Sequence, residues 1–288
     1  MKVLVLGAGG QVGRALANAA PSAWEVTAKS RSELDIGDAP AVAAALAQTP
    51  VDWIVNAAAY TAVDRAESEA VQARAINETA VGVLARAAAQ RGCRLLHLST
   101  DFVFDGRSNR AYLPADPTNP LSVYGATKLG GEHQVINEGR DGIVLRTAWV
   151  YDSSGRNFAL TMLRLMRERP EVRVVCDQIG APTWASGLSD AIWGLIGAAA
   201  PPGIFHWTDL GVASWYDFAV AIQEEALVRG LLTQAVPIVP IATAAYPTPA
   251  VRPAFSVLNT ESTRALLQTP AYHWRHNLRK MLDELRCT

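Results

Sequence analysis

Along the first half of the chain, short apolar runs alternate with stretches of helical period. Lys2 to Leu6 is an apolar, β-branched-rich run of the kind that forms a central parallel strand. Trp24 to Lys29, Asp52 to Asn56, Arg94 to Leu98, Gly142 to Arg146 and Val172 to Val175 repeat the strand pattern. Helical spacing fills the intervals at Arg14 to Ala20, Ala39 to Gln48, Val63 to Gln90, Leu121 to Ile136 and Asn157 to Arg169. Strands and helices in alternation with short connections predict an α/β fold built on a doubly wound parallel Rossmann-type sheet.

From Cys176 the character changes. A turn-rich stretch, Gln178 to Thr183, is followed by a helix near Ser186 to Ala199 and a short strand, Ile204 to Trp207. Then come a helix over Ser214 to Val228, an extended piece broken by Pro237 and Pro240, an irregular loop from Tyr246 to Pro253, and two closing helices at Thr260–Gln268 and Arg275–Leu285. The pattern predicts a Rossmann-type domain over 1–175 and a smaller mixed α/β C-terminal lobe over 176–288. The segment near 186–207 is the candidate to rejoin the first domain.

Composition narrows the function classes. Half of the 288 residues are hydrophobic and 18% are charged, which is globular composition with ample core material. A formal net charge of −1 gives no reason to expect nucleic acid or an anionic membrane as partner. No run has the unbroken apolar length of a membrane span, and the apolar start lacks a signal-peptide cleavage pattern. Cys93, Cys176 and Cys287 are widely spaced, as buried free thiols in a reducing compartment would be, so a cytoplasmic protein is expected. The five histidines show no zinc-ligand spacing.

Chemistry gathers at the predicted strand ends. Gly7, Gly10 and Gly13, with Gln11 and Val12 between the last two, stand between the first strand and the first helix. Such a loop lets backbone approach a pyrophosphate at a helix N-terminus, although a glycine-rich turn needs no ligand to exist. The second strand ends in Lys29, Ser30 and Arg31, with no acid before Glu33. An acid there would suit the ribose of NAD; a cation suits the 2′-phosphate of NADPH, unless Arg31 is only a solvated loop residue. Asp35 and Ile36 follow in a loop of the kind that borders an adenine, where Asp35 has the alternative of capping the next helix. The third strand leads into small residues and then Ala59, Tyr60 and Thr61, and the fourth delivers Thr100 and Asp101. Tyr124 and Lys128, four apart, share one helical face. A free phenol has a pKa of about 10, and a neighbouring ammonium lowers it toward general acid–base use.

The Gly7/Gly10/Gly13 loop, a hydroxyl after the fourth strand and Tyr-x-x-x-Lys on the next helix together resemble the short-chain dehydrogenase/reductase superfamily, in its extended branch. Further stretches, among them Val55 to Glu67, Ser99 to Gly106, Arg146 to Tyr151, Asp177 to Thr183 and Tyr246 to Pro253, resemble the dTDP-4-dehydrorhamnose reductase family over essentially the whole chain. The resemblance implies reduction of the C4 ketone of dTDP-4-dehydro-6-deoxy-L-mannose to dTDP-L-rhamnose by NADPH, with NADH as the alternative donor. It makes Tyr124 the proton donor, Thr100 a second donor to the same oxygen, and Lys128 the group that lowers the Tyr124 pKa and holds the nicotinamide ribose. Gly10, Gln11, Val12, Asp35, Ile36, Ala59, Tyr60 and Thr61 match cofactor-contact positions. Asp101 is implied as an acceptor for a sugar hydroxyl. Trp149 is a stacking surface for sugar or thymine, or else a core indole. Arg252 either meets the diphosphate or pins the two lobes together.

Two departures from the family pattern matter. Phe102 stands where members often have tyrosine, which removes one hydrogen bond to substrate. Ala15 and Ser186 stand where some members carry the glutamates of a magnesium-bridged dimer contact, so no metal site is expected and a homodimer is left open. Competing functions are another sugar-nucleotide reductase, an epimerase, or a non-catalytic regulatory subunit of methionine adenosyltransferase. A 4,6-dehydratase would need an Asp-Glu pair after the threonine, and here Phe102 follows Asp101.

Overall fold

The computed structural model describes residues 1–48, 50–139, 141–270 and 272–287, the last without the Cys287 side chain. Five strands come in the expected order: β1 (Lys2–Leu6), β2 (Glu25–Lys29), β3 (Trp53–Asn56), β4 (Arg94–Thr100) and β5 (Ile143–Thr147). With the strand Gly203–His206 they form a six-stranded sheet, ordered β2, β1, β3, β4, β5 and Gly203–His206. Every pairing in it is parallel. All strand ends of one polarity therefore lie along one edge. The order turns back between β1 and β3, and the glycine loop after β1 opens at that switch point, the ordinary ligand crevice of such sheets.

Both faces of the sheet are covered because the strand residues alternate between two cores. Val3, Val5, Leu96, Leu98 and Leu145 pack with Leu16 of helix α1 (Gln11–Asn18) and with Leu188, Ile192 and Leu195 of the helix Ala185–Gly197. On the opposite face Leu4, Leu6, Ile54, Leu95 and Val144 pack with Val42, Leu84 and Val135 from the helices Ala39–Gln48, Ala80–Arg91 and Val123–Glu138. A third core joins Tyr151, Met162, Phe218, Ile222, Trp274 and Leu278 in the C-terminal half.

The strand Val172–Val175 corrects one expectation. It forms, but it pairs with Ile238–Ile241 in a separate two-stranded sheet, and the sixth place in the main sheet goes to Gly203–His206. Its alternating pattern of buried Val172 and Val174 with exposed Arg173 suits an edge pair better than a strand buried on both faces.

The long helical pattern of Val63 to Gln90 is likewise not one helix. It divides into Val63–Ala66, Ala70–Arg74, a π turn at Ala75–Thr79, and Ala80–Arg91. Asn77, buried inside the π turn, accepts from the Tyr60 backbone N–H at 2.8 Å and donates to the Tyr60 carbonyl at 3.0 Å and to Thr127 Oγ1 at 3.2 Å. The extra residue in the turn aims an amide at a loop whose backbone groups have no strand partner. Cys93 is a buried free thiol and Cys176 a half-buried one, while the Cys287 side chain lies outside the described residues. Among the described residues no helix is long and apolar enough to cross a membrane.

Candidate active site

The glycine loop closes tightly on the sheet. Gly7 has φ +88, and a side chain there would put Cβ 2.6 Å from the Ala58 nitrogen, so only glycine fits. Gly10 stands at the N-cap of α1 with extended backbone and has no side chain to cap the first turn. The N–H groups of that turn, at Gln11, Val12 and Gly13, lack intrahelical partners and present a positive dipole end. Gly9 and Gly10 are exposed beside them. The arrangement fits a dinucleotide pyrophosphate.

The flanking residues are tied to one another. Arg31 Nε donates to Asp35 Oδ2 at 2.9 Å, and Asp35 Oδ1 accepts from the Gly37 N–H, which holds the Asp35 carboxyl below its usual range together with Arg31. Ser30 Oγ donates to Glu33 at 2.7 Å. The helix Ala39–Gln48 is capped by Asp38, whose carboxylate accepts from Ala41, and not by Asp35. Ile36 is buried in the sheet core. Gln11 Oε1 accepts from Asn157 at 3.0 Å. Ala59 and Tyr60 are half-buried and Thr61 is exposed; the Tyr60 hydroxyl donates to Glu69 at 2.6 Å.

At the tip of β4, Ser122 caps the helix Val123–Glu138 by accepting from Gly125. Gly125 lies so close to the Phe102 carbonyl that any side chain would lift the helix off the strand tip. Tyr124 is thereby set beside Thr100, with Phe102 edge-on to its ring at 5.5 Å. Thr100 has one hydroxyl proton, and that proton goes to Asp101 Oδ1 at 3.0 Å. The Thr100 hydroxyl beside the Tyr124 phenol works against the rise of its pKa. Asp101 is buried; Thr100 donates to its Oδ1 and the Ser256 hydroxyl of the C-terminal half helps to restrain its pKa, while its Oδ2 is buried without a hydrogen-bond partner. Burial pushes the Asp101 carboxyl up to about 6.

Two expectations at this helix change. Lys128 is buried, and its Nζ donates to the Leu98 carbonyl at 2.5 Å and lies 3.1 Å from His97 Nε2. Burial lowers Lys128 to about 8, and burial also drives the Tyr124 phenol up to about 12, with Asp101 adding to the rise. In this state Lys128 does not depress the phenol, because its nitrogen is engaged elsewhere and desolvation dominates. Nor is Thr100 a free second donor while Asp101 holds its proton.

The same helix is bolted down by a buried pair that the sequence reading did not single out. Glu132 receives Arg146 Nε at 2.8 Å and Nη2 at 2.6 Å, and Ser99 Oγ at 2.5 Å. Glu132 is on the helix, Ser99 on β4 and Arg146 on β5, so three elements are fixed in register. A polar residue repeated at strand ends (Ser99, Arg146, His206) was the available signal.

Trp149 lies two residues beyond Thr147, the strand partner of Thr100. It has a left-handed backbone (φ 50) and stacks on Trp215 with centroids 3.5 Å apart and planes 4° from parallel. Trp215, which carries no local sequence signal, is tilted against Phe158 with ring centroids 4.6 Å apart. Trp215 and Phe158 line a cavity of about 550 Å³ with Arg169, Arg173, Gln178 and Arg252; Trp149, Tyr124 and Thr100 are not in its lining. Arg252 forms a two-pronged ion pair with Asp64, at 3.0 Å and 2.8 Å, and also donates to Thr248 Oγ1. It pins the Tyr246–Pro253 loop to the helix after β3 and at the same time borders the cavity. Among the described residues no three His, Cys, Asp or Glu side chains gather as a metal site would need.

A parallel sheet with a pyrophosphate cradle at its switch point and a tyrosine, lysine and threonine at the end of the fourth strand defines an extended short-chain dehydrogenase/reductase. Comparison with known proteins narrows this. Residues 1–287 match the family model described as "RmlD substrate binding domain". The chain is 44% identical over 286 residues to a dTDP-4-dehydrorhamnose reductase of Burkholderia thailandensis, covering 96% of each, and 40% identical to that of Escherichia coli K12 over 100% of this chain and 99% of the relative. A crystal structure of the Bacillus anthracis dTDP-4-dehydrorhamnose reductase in complex with NADP superposes with a TM-score of 0.93 at 31% identity, covering 98% of this chain and 99% of that one. The protein belongs to the dTDP-4-dehydrorhamnose reductase family.

Proposed function

We propose that the protein reduces the C4 ketone of dTDP-4-dehydro-6-deoxy-L-mannose to dTDP-L-rhamnose with NADPH. The observation that carries this reading is the placement of Tyr124, Thr100 and Asp101 at the same sheet edge as the uncapped helix after Gly10. When bound, reduced nicotinamide supplies a hydride to the carbonyl carbon. Tyr124 then gives its proton to the oxygen on which negative charge develops. Once charged, Lys128 would favour the phenolate left behind and would hold the cofactor ribose. The unpartnered Oδ2 of Asp101 accepts from a sugar hydroxyl. The cavity beside Trp149 and Trp215 takes the nucleotide, with Arg169, Arg173 and Arg252 facing the diphosphate and the aromatic rings walling the thymine.

On this reading 1–175 with the 186–207 segment binds NADPH, and the rest of 176–288 binds the sugar nucleotide. The use of NADPH and a sugar nucleotide supports a cytoplasmic location. The test is to supply the keto-sugar nucleotide from a coupled enzyme and follow NADPH absorbance and product by mass spectrometry. Stoichiometric NADPH loss with dTDP-rhamnose appearing is expected; no consumption would sink the reading.

A further inference from the structure

Behind Lys128 runs a buried chain of polar groups whose direction can be worked out. The Ala58 backbone N–H bonds to Asn56 Oδ1 at 3.1 Å, and a backbone N–H can only donate. The Asn56 amide oxygen therefore faces Ala58, and its NH₂ faces His97 Nδ1 at 3.0 Å. His97 Nδ1 must accept. Burial, with Lys128 beside it, keeps the His97 ring neutral, so its single proton is on Nε2. Nε2 lies 3.1 Å from Lys128 Nζ. That contact is a hydrogen bond only if Lys128 offers a lone pair, which an ammonium does not have. Asn56, His97 and Lys128 are all buried, so no water relieves a mismatch of donors.

We propose that His97 is a positioning residue that couples the charge on Lys128 to the Asn56–Ala58 segment beneath the cofactor loop. With Lys128 neutral, the chain runs as found: Ala58 to Asn56 to His97 to Lys128. Protonation of Lys128 reverses it. The ammonium donates to Nε2, the ring carries its proton on Nδ1, and the Asn56 amide turns its oxygen to His97, releasing the Ala58 N–H. The imidazole loses one N–H proton at Nε2 and gains one at Nδ1, and the proton added to the system stays on Lys128. Ala58 is the residue against which Gly7 is pressed, so the released N–H lies where the pyrophosphate loop meets β3. The groups facing Lys128 are His97 and the Leu98 carbonyl from β4, and Glu132 from its own helix; Glu132 is already held by Arg146 and Ser99. This inference rests on the reductase reading for its kinetic arm only.

The direct test is nitrogen-15 NMR of the His97 ring in cofactor-free protein across the Lys128 titration. The expected result is an Nδ1–H tautomer at low pH passing to Nε2–H at high pH with the midpoint of Lys128. A tautomer that stays the same throughout overturns the proposal whether or not the protein is a reductase. The kinetic arm uses Asn56→Asp, whose carboxylate accepts from both Ala58 and an Nδ1–H, and so leaves Nε2 free to accept from the ammonium. The basic limb of the kcat/KM profile, where Lys128 loses its proton, should move up by about one pH unit or more. His97→Gln, which can turn its amide oxygen to the ammonium, should move it the same way. Loss of activity with the limb in place would reduce His97 to a structural role and overturn the coupling.

Discussion

The phenol of Tyr124 stands beside the hydroxyl of Thr100 at the tip of β4, while the lysine one turn along its own helix gives its nitrogen to the Leu98 carbonyl. Tyr124→Phe should lower kcat by about 10²–10⁴-fold while NADPH affinity, measured by fluorescence titration, stays nearly constant. An unchanged kcat would remove Tyr124 from the proton transfer.

Asp101 should trade stability for substrate contact. Its carboxyl stands at about 6 in the folded protein against an ordinary 3.8, so between those values the folded state holds a proton that the unfolded chain has lost. The contribution to stability is full below the lower value and is lost as pH rises through the higher one. Asp101→Asn is expected to be about 2–3 kcal/mol more stable than the parent near neutral pH, with the gap closing in acid, by urea unfolding at both. The same variant should show a raised KM for the sugar nucleotide.

Arg31 is largely exposed and is bonded to Asp35 at the end of β2. If it meets the 2′-phosphate, Arg31→Ala should weaken NADPH by about tenfold or more, as for a charge-assisted hydrogen bond, and leave NADH nearly unaffected. Equal weakening of both cofactors would show that the arginine serves only its ion pair with Asp35.

Arg252 offers two roles that a pair of variants separates. Asp64→Ala removes the pin and leaves the cation; Arg252→Ala removes both. If the guanidinium binds the diphosphate, KM for the sugar nucleotide should rise about tenfold or more in Arg252→Ala and much less in Asp64→Ala. Matching KM values for the two would leave Arg252 as a tie between loop and helix.

Much of the fold was legible because strand and helix differ in period, and the five strands from Lys2 to Thr147 are short, apolar and evenly interleaved with helices. The main sheet's last strand was harder. Val172–Val175 and Gly203–His206 look alike in sequence, and only tertiary packing decides which one reaches β5. Tyr124, Thr100 and Asp101 could be read as neighbours because parallel topology carries strand ends to one edge. Their protonation could not, since the positions of Asp101 and Lys128 on the pH scale follow from burial. His97 carried a signal in the sequence, a polar ring inside an otherwise apolar strand, but its meaning needed Asn56 and Lys128 to be located in space. Trp215 stands in an ordinary amphipathic helix, and nothing local marks it as the partner of Trp149.

The π turn at Ala75–Thr79 sets the phase of everything downstream on its helix. Each residue of an α-helix advances by about 100°, so removing one residue from the turn would rotate the helix Ala80–Arg91 by about that amount relative to the segment before it. Val81, Leu84 and Ala88 would swing off the sheet while Asn77 lost its hold on Tyr60. Substitutions inside the turn can be absorbed locally, but the length of this stretch cannot change by one without unseating either the core or the loop after β3.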